Sequence, residues 1–177
     1  MISGNVIAGV RNDEELACAV KSNVSTIFLL RTNIETIDAQ LELAHSAGKQ
    51  LFVHIDLADG IGKDEYGLKY LKNLGVDGII STRTNIIKTA KKIGLFTVQR
   101  FFIVDSHSIE TTVESISASK TDVVEIMPGT LTKVVKKLKE QMDTPIVVGG
   151  LVDSVQEIQN ALDSGAVSVS TGKKGLW

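Results

Sequence analysis

Apolar residues recur along this chain in two alternating rhythms. Eight short runs, rich in Val, Ile and Phe, have the length and composition of buried strands: 5–10, 26–30, 50–56, 78–82, 96–102, 122–127, 145–149 and 166–171. Between them the apolar spacing changes to that of an amphipathic helix. Ile34, Ile37, Leu41 and Ala44 fall on one helical face; so do Ile86, Ile87, Ala90 and Ile93, and so do Val155, Ile158 and Leu162. Boundary signals agree with this division. Ser154 with Glu157 forms a capping-box pattern, and Asn85 and Asp64 are candidate caps. Gly48, Gly75, Gly94 and Gly165 each follow a helical run, where a left-handed residue ends a helix most readily.

Eight strands separated by seven helices in strict alternation imply a parallel sheet. Eight such units predict closure into a (β/α)8 TIM-like barrel, a single domain over residues 1–177. A strand, a helix and two short loops need about 22 residues, so eight units fill a chain of roughly this length. An open doubly wound sheet is the structural alternative and carries less weight. Five residues follow Gly172, which predicts a truncated final helix. Leu176 and Trp177 would then cover part of the seam between the last strand and the first. A partner subunit could cover the rest, which makes a homodimer one way to complete the wall.

Composition narrows the picture. Hydrophobic residues make up 43% and charged residues 23%, which argues against a disordered chain. No apolar run is long enough to span a membrane, and the start lacks the basic-then-apolar pattern of a secretory signal. The single cysteine, Cys18, excludes an internal disulfide framework and fits a reducing, cytoplasmic setting. Its apolar neighbours Leu16, Ala17, Ala19 and Val20 predict a packed core thiol. A net charge of −2 gives no global attraction to nucleic acid, so RNA binding would need a local basic patch. One candidate is the segment where Val134, Val135, Leu138 and Met142 share a face and Lys133, Lys136, Lys137 and Lys139 lie opposite. Lys88, Lys91 and Lys92 form a smaller group. The commoner meaning of such a face is a solvated surface, and no aromatic interleaving points to base stacking.

In a barrel of this kind the chemistry sits at the C-terminal ends of the strands. The seventh and eighth ends, "GGLVDS" and "STGKKGLW", make the strongest local pattern. Such barrels often hold phosphate in these two loops, where glycine lets backbone N–H groups approach an anion. Gly149, Gly150, Ser170, Thr171, Gly172 and Lys173 are the phosphate-binding candidates; the competing meaning is a plain turn and a helix start. At the third end, period two places Phe52, His54 and Asp56 on one face. His54 reads as a core histidine deeper in the lumen, and His45 and His107 as surface residues. Asp56 and Glu125 are candidates for holding ligand hydroxyls or acting as acid and base, against the alternative of lumenal carboxylates paired with Arg83 or Arg100. Lys63 lies between Gly62 and Asp64 in a loop that is either a mobile lid or an ordinary connection. Arg100 and Gly129 complete the ligand candidates, and the parity of "TVQRFF" leaves the direction of Arg100 open. No residue spacing makes a metal site, a Walker or dinucleotide loop, or a lumenal Schiff-base lysine.

Taken together, "HIDLADGIGKDE", "GIISTR", "TVQRFFIVDS", "VEIMPG", "PIVVGGLVDS" and "AVSVSTGKKGLW" resemble the glycerol uptake operon antiterminator family, in order and over nearly the whole chain. The resemblance implies a (β/α)8 barrel that binds glycerol 3-phosphate as an effector and needs no cofactor. It also implies binding to the leader mRNA of glycerol operons, preventing premature transcription termination. On that expectation the protein is a regulator and not an enzyme. The alternatives are an enzyme acting on a small phosphorylated substrate at the same phosphate site, and a phosphate-binding barrel that regulates through protein contacts alone.

Overall fold

The computed structural model describes residues 2–177 and leaves Met1 outside. Eight parallel strands close into a barrel: β1 (Val6–Val10), β2 (Thr26–Leu29), β3 (Gln50–His54), β4 (Gly78–Ser81), β5 (Thr97–Phe102), β6 (Val123–Met127), β7 (Ile146–Gly149) and β8 (Ser168–Thr171). They follow one another around the ring in chain order. Closure is made by β8 lying parallel to β1, with Ile7 opposite Ser170 and Ala8 opposite Thr171. Seven helices alternate with the strands: α1 (Asp13–Ala19), α2 (Ile37–Ser46), α3 (Glu65–Leu74), α4 (Thr84–Lys92), α5 (Ser106–Ser119), α6 (Thr132–Lys139) and α7 (Val155–Asp163). A single 3-10 turn, Lys174–Leu176, follows β8. The expected barrel is therefore observed, with one end of each strand at its predicted limit and the other one or two residues inside it.

Strand periodicity divides the apolar residues between two sides of the ring. Ile7, Phe28, Phe52, Ile80, Val98, Val123 and Val147 point inward and fill the lumen. Their neighbours in sequence point outward beneath the helices, in one cluster under α1 to α4 and a second under α5 to α7. The chain end stitches these two clusters together. Trp177 packs on the first and Leu176 on the second. The Trp177 indole N–H donates to the Thr171 carbonyl at 2.8 Å, and Lys174 reaches Glu14 at 3.2 Å.

Helix boundaries obey the local signals in most places. The Ser154–Glu157 capping box is present, and the Asp64 carboxylate accepts from the Tyr66 and Gly67 N–H groups. Gly48, Gly75, Gly94 and Gly165 all adopt positive φ. Four expectations fail. Asn85 is not a cap, because α4 starts one residue earlier and Arg83 occupies the cap position without a side-chain bond. Ile34 precedes α2 and is 47% exposed, and Val155 opens α7 at 71% exposed, since both stand where the chain is still leaving the barrel rim. Cys18 is exposed as well: the buried face of α1 is Glu15, Leu16 and Ala19, and Cys18 lies about 200° of helical rotation from Leu16.

Towards the N-terminal end of the lumen the Phe52 ring meets Phe28 at a 55° tilt and Phe96 edge-to-face, each at a centroid spacing of 5.7 Å. Gly78 makes room for them. A Cβ there would lie 2.7 Å from the Phe52 ring and 2.8 Å from the Phe96 carbonyl oxygen, and the latter is strand-bonded backbone that cannot step aside. Gly78→Ala is expected to lower the unfolding free energy by about 1–3 kcal/mol, the usual cost of overpacking a core. A urea titration checks this: the midpoint falls and the slope stays unchanged.

Candidate functional site

The loops after β7 and β8 meet at the C-terminal face and enclose a cavity of about 230 Å³, lined by Arg11, Gly150, Leu151, Val152, Asp153, Thr171, Gly172 and Lys173. Two successive left-handed residues, Gly150 at φ 75° and Leu151 at φ 58°, bend the first loop around it. A β-carbon on Gly150 would also strike the Met127 methyl at 2.7 Å. Gly129 supports this loop from behind and does not line the cavity. Its N–H donates to the Gly150 carbonyl at 2.9 Å, and an added β-carbon would meet Val152 at 2.7 Å.

Thr171 ties the two loops together. Its hydroxyl donates to the Val152 carbonyl at 2.8 Å and accepts from the Lys173 N–H at 3.1 Å. Gly149 and Ser170 face the lumen, one residue before the cup on each strand. The structure thus brings four of the six phosphate candidates, Gly150, Thr171, Gly172 and Lys173, into one cavity, and puts the other two on its inner side.

Arg11 was missing from the sequence-based set. It follows β1 directly, and closure of the ring carries it beside β8, so that a β-carbon on Gly172 would lie 3.7 Å from its guanidinium. Glu15 orients it through a 2.7 Å ion pair. Burial works against the Glu15 charge, but the Arg11 bonds prevail and hold its carboxyl below the usual range. The available signal was position: a basic residue immediately after a barrel strand, next to the glycine loops. The cup is not uniformly cationic, since the exposed Asp153 also borders it.

The lumen just below the cup is polar. Arg100 and Glu125 are register partners on β5 and β6 and form an ion pair of 2.6 Å, with side chains 7% and 0% exposed. Arg100 therefore points inward, which the sequence left open. The remaining Glu125 oxygen, Oε1, has no partner, and the buried His54 ring makes no close hydrogen bond: Asp56 stands 3.8 Å from Nε2, and the Leu30 backbone is its other polar neighbour. Burial, followed by the Arg100 charge, pushes the His54 imidazole down to about 4, against the opposing pull of Asp56.

Asp56 sits differently from its expected place at a strand end. β3 stops at His54, and a 3-10 turn over Ile55–Leu57 swings the carboxylate toward β4. There it accepts from the Ser81 hydroxyl at 2.8 Å, the Thr82 N–H at 2.8 Å and the Thr82 hydroxyl at 2.9 Å, with Arg83 at 3.8 Å. Burial opposes the charge, but these bonds and nearby His54 hold the carboxyl below its ordinary value. Asp56 thus braces β3 against β4.

Lys63 also turns away from the cup: its ammonium donates to the carbonyls of Ala58 and Ile61 in its own loop. That loop is anchored by a short parallel pairing of Ala58–Asp59 with Thr32–Asn33. Lys133, Lys136, Lys137 and Lys139 are exposed on α6, outside the barrel wall. His45 pairs with Asp77 at the surface, and His107 is exposed. Among the described residues no group of three or more His, Cys, Asp or Glu side chains is placed to hold a metal ion, and no helix is long and apolar enough to cross a membrane.

The fold and the strand-end cup define a (β/α)8 barrel with an anion-sized cavity on its C-terminal face. The chain belongs to the glycerol-3-phosphate responsive antiterminator family, whose model matches residues 6–177. It is 36% identical over 173 residues to the uncharacterized protein YgcP of Escherichia coli (strain K12), covering 97% of this chain and 91% of that one. The glycerol uptake operon antiterminator regulatory protein from Listeria monocytogenes superposes with a TM-score of 0.93 at 29% identity, covering 99% and 95% of the two chains. A glycerol uptake operon antiterminator-related protein from Thermotoga maritima gives 0.89 at 30% identity, covering 100% and 99%.

The His54 environment sets a pH dependence. Its imidazole stays neutral in the fold but charges in the unfolded chain below about pH 6.5. The unfolded state then binds more protons, so stability falls as pH drops from about 6.5 to about 4. The full loss is about 3 kcal/mol. Denaturant titrations at pH 7 and pH 4.5 are expected to show this loss in the parent protein and a clearly smaller one in His54→Gln.

Proposed function

We propose that this chain is a glycerol-3-phosphate-responsive, RNA-binding transcription antiterminator that controls genes of glycerol uptake and utilisation. Family membership supports the regulatory role, and one observation of the fold carries the effector: the cup between the β7 and β8 loops, where glycine backbone, Lys173 and Arg11 converge. A phosphate monoester fits this chemistry, because a dianion gains from N–H groups that glycine leaves uncovered and from two cations. The protein then acts by binding and not by turnover, in the cytoplasm where effector and nascent RNA meet. Effector binding joins the two loops and the Arg11 segment, and biases the protein toward the RNA-competent form by its differential affinity for that form. The RNA is held at the exposed lysines of α6, Lys133, Lys136, Lys137 and Lys139, through its phosphates. A homodimer places two such helices on one transcript.

The effector claim is checked by thermal unfolding. Glycerol 3-phosphate at about 100 times its dissociation constant adds about 2.7 kcal/mol of stability, a rise of several degrees in Tm. Gly172→Asp tests the cup cleanly. A β-carbon there meets nothing closer than 3.6 Å, so the variant places a carboxylate beside Arg11 without crowding the backbone. It is expected to fold and to lose the shift; a full shift in this variant would move the phosphate elsewhere.

The RNA claim is checked by gel shift with the leader of the organism's own glycerol genes. Binding is expected to require glycerol 3-phosphate and to weaken steeply with salt. Glu at Lys133, Lys136 and Lys137 together should abolish binding at moderate salt, with the glycerol 3-phosphate Tm shift intact. Absence of ligand-dependent binding to any such leader would remove the antiterminator reading.

A further inference from the structure

Leu151 is unfavourable in the free protein on two counts. Its backbone holds φ 58°, a left-handed conformation that a bulky side chain rarely adopts, and its side chain is 73% exposed. Glycine or asparagine would make the same turn with less strain and without placing apolar surface in water. The leucine therefore points to a contact outside the fold, and it does not stand alone. A β-carbon on Gly150 would lie 2.7 Å from the Met127 methyl, so the methionine tip reaches the same loop. Met127 is half-buried and is the register partner of Phe102, the last residue of β5, whose ring is 59% exposed. Phe102 shares the parity of Val98 and Arg100, which point into the lumen, so it stands at the mouth of the barrel. Leu151, Met127 and Phe102 thus form an apolar lip that starts at the cup and crosses the ends of β7, β6 and β5. It spans two strand spacings, about 10 Å. Val155 in the first turn of α7 and Val104 in the loop after β5 are exposed as well. A cluster of exposed apolar side chains of this kind marks a site of interaction.

We propose that the cup takes a second class of ligand, single-chain amphiphilic phosphate esters, with the phosphate in the cup and an alkyl or acyl chain laid across Leu151, Met127 and Phe102. This rests on the phosphate-cup reading and adds to it a class of ester that competes with the small effector. Continuity selects this occupant. Leu151 lines the cavity and also begins the lip, so a chain leaving a bound phosphate on that side meets apolar surface at once. The opposite wall, Arg11, Gly172 and Lys173, offers no such path. Charge selects it too. Two exposed carboxylates flank the lip: Asp153 stands two residues after Leu151, and Asp105 three residues after Phe102. A nucleic-acid strand crossing the lip would carry its phosphates past both, whereas an uncharged chain meets no repulsion there. The chain and the lip lose water from apolar surface together, and that loss is the driving force.

The test is calorimetric titration of the full chain with ethyl, butyl and octyl phosphate, each kept below the concentration at which it forms micelles. Ethyl phosphate reports the cup alone. A fully buried methylene supplies roughly fourfold in affinity. On an open lip with one side in water, octyl phosphate is expected to bind at least about tenfold more tightly than ethyl phosphate, with butyl phosphate between them. Saturating ethyl phosphate is expected to displace octyl phosphate, and octanol, which lacks the anchor, to bind far more weakly. Leu151→Asn, which suits the left-handed backbone, and Phe102→Ser, at an exposed ring, are each expected to bring the octyl-to-ethyl ratio toward one. Taking the ratio within each variant removes any general loss of folded protein. Equal binding of ethyl and octyl phosphate by the parent protein overturns the lip and leaves the cup in place. Octyl phosphate that ethyl phosphate does not displace, or octanol that binds equally well, overturns the proposal by detaching the chain site from the cup. An unchanged ratio in both variants also overturns it, and loss of leader RNA binding in the same variants would then give the lip to the RNA. Absence of binding by every phosphate ester overturns the cup reading itself, and this proposal with it.

Discussion

Ile7 lies opposite Ser170 and Ala8 opposite Thr171, and the barrel and its candidate cup depend on that pairing between the first strand and the last. It converts an open sheet with two exposed edges into a ring with none. Because all the strands run parallel, it also gathers their C-terminal ends onto one face. Arg11, Gly150 and Gly172 are distant in sequence, and only closure makes them walls of the same cavity. The same pairing places Thr171 where its hydroxyl can bind the Val152 carbonyl and its own carbonyl can hold the Trp177 indole. The chain end is thereby attached to the cup, and the two outer hydrophobic clusters are joined across the seam.

Inside the ring the polar groups are treated in two ways. Asp56 is surrounded by donors from β4 and is an internal brace. One oxygen of Glu125 is left without a partner, and the His54 ring makes no close hydrogen bond. A sequence shaped for stability alone would satisfy them as it satisfies Asp56, since each unpaired atom costs about 1–3 kcal/mol. Of these atoms, Glu125 Oε1 lies against Gly149, one residue from the glycine loop after β7. The barrel form says nothing by itself about catalysis, because this architecture hosts many unrelated activities. The family to which the chain belongs is described as one of antiterminators, and a strand-end cavity serves a regulator as well as an enzyme.

In the proposed role the cup also transmits the effector signal. Its walls are the turn into α7, the tail after β8 and the end of β1; Thr171 bonds the first two together, and Lys174 reaches Glu14 beside the Arg11–Glu15 pair of the third. A phosphate between them adds a common partner. The lysines of α6 stand two barrel units from β8, connected to the cup through Gly129 and the Gly150 carbonyl. That contact is a physical route by which occupancy can reach the outer wall.

Much of this architecture was legible in the chain. Strand and helix periodicity, the Ser154 and Asp64 caps and the left-handed glycines are local properties, set by neighbours within a few residues, and they specified the alternating order of elements and hence the barrel. The glycine-bearing ends of β7 and β8 were legible for the same reason. Cys18, Ile34 and Val155 were misread because composition nearby does not fix the angle at which a helix meets the wall. Asp56 and Lys63 satisfy their charges on backbone and hydroxyl groups that no spacing rule brings together, and Arg11 becomes part of the cup only through ring closure. The sequence by itself determined which elements form and that they close, because hydrophobic periodicity and helix capping act over short distances. The tertiary structure alone decided which polar side chains are paired, which are left free in the lumen and which line the cup. Those outcomes depend on register between strands that are remote in the chain.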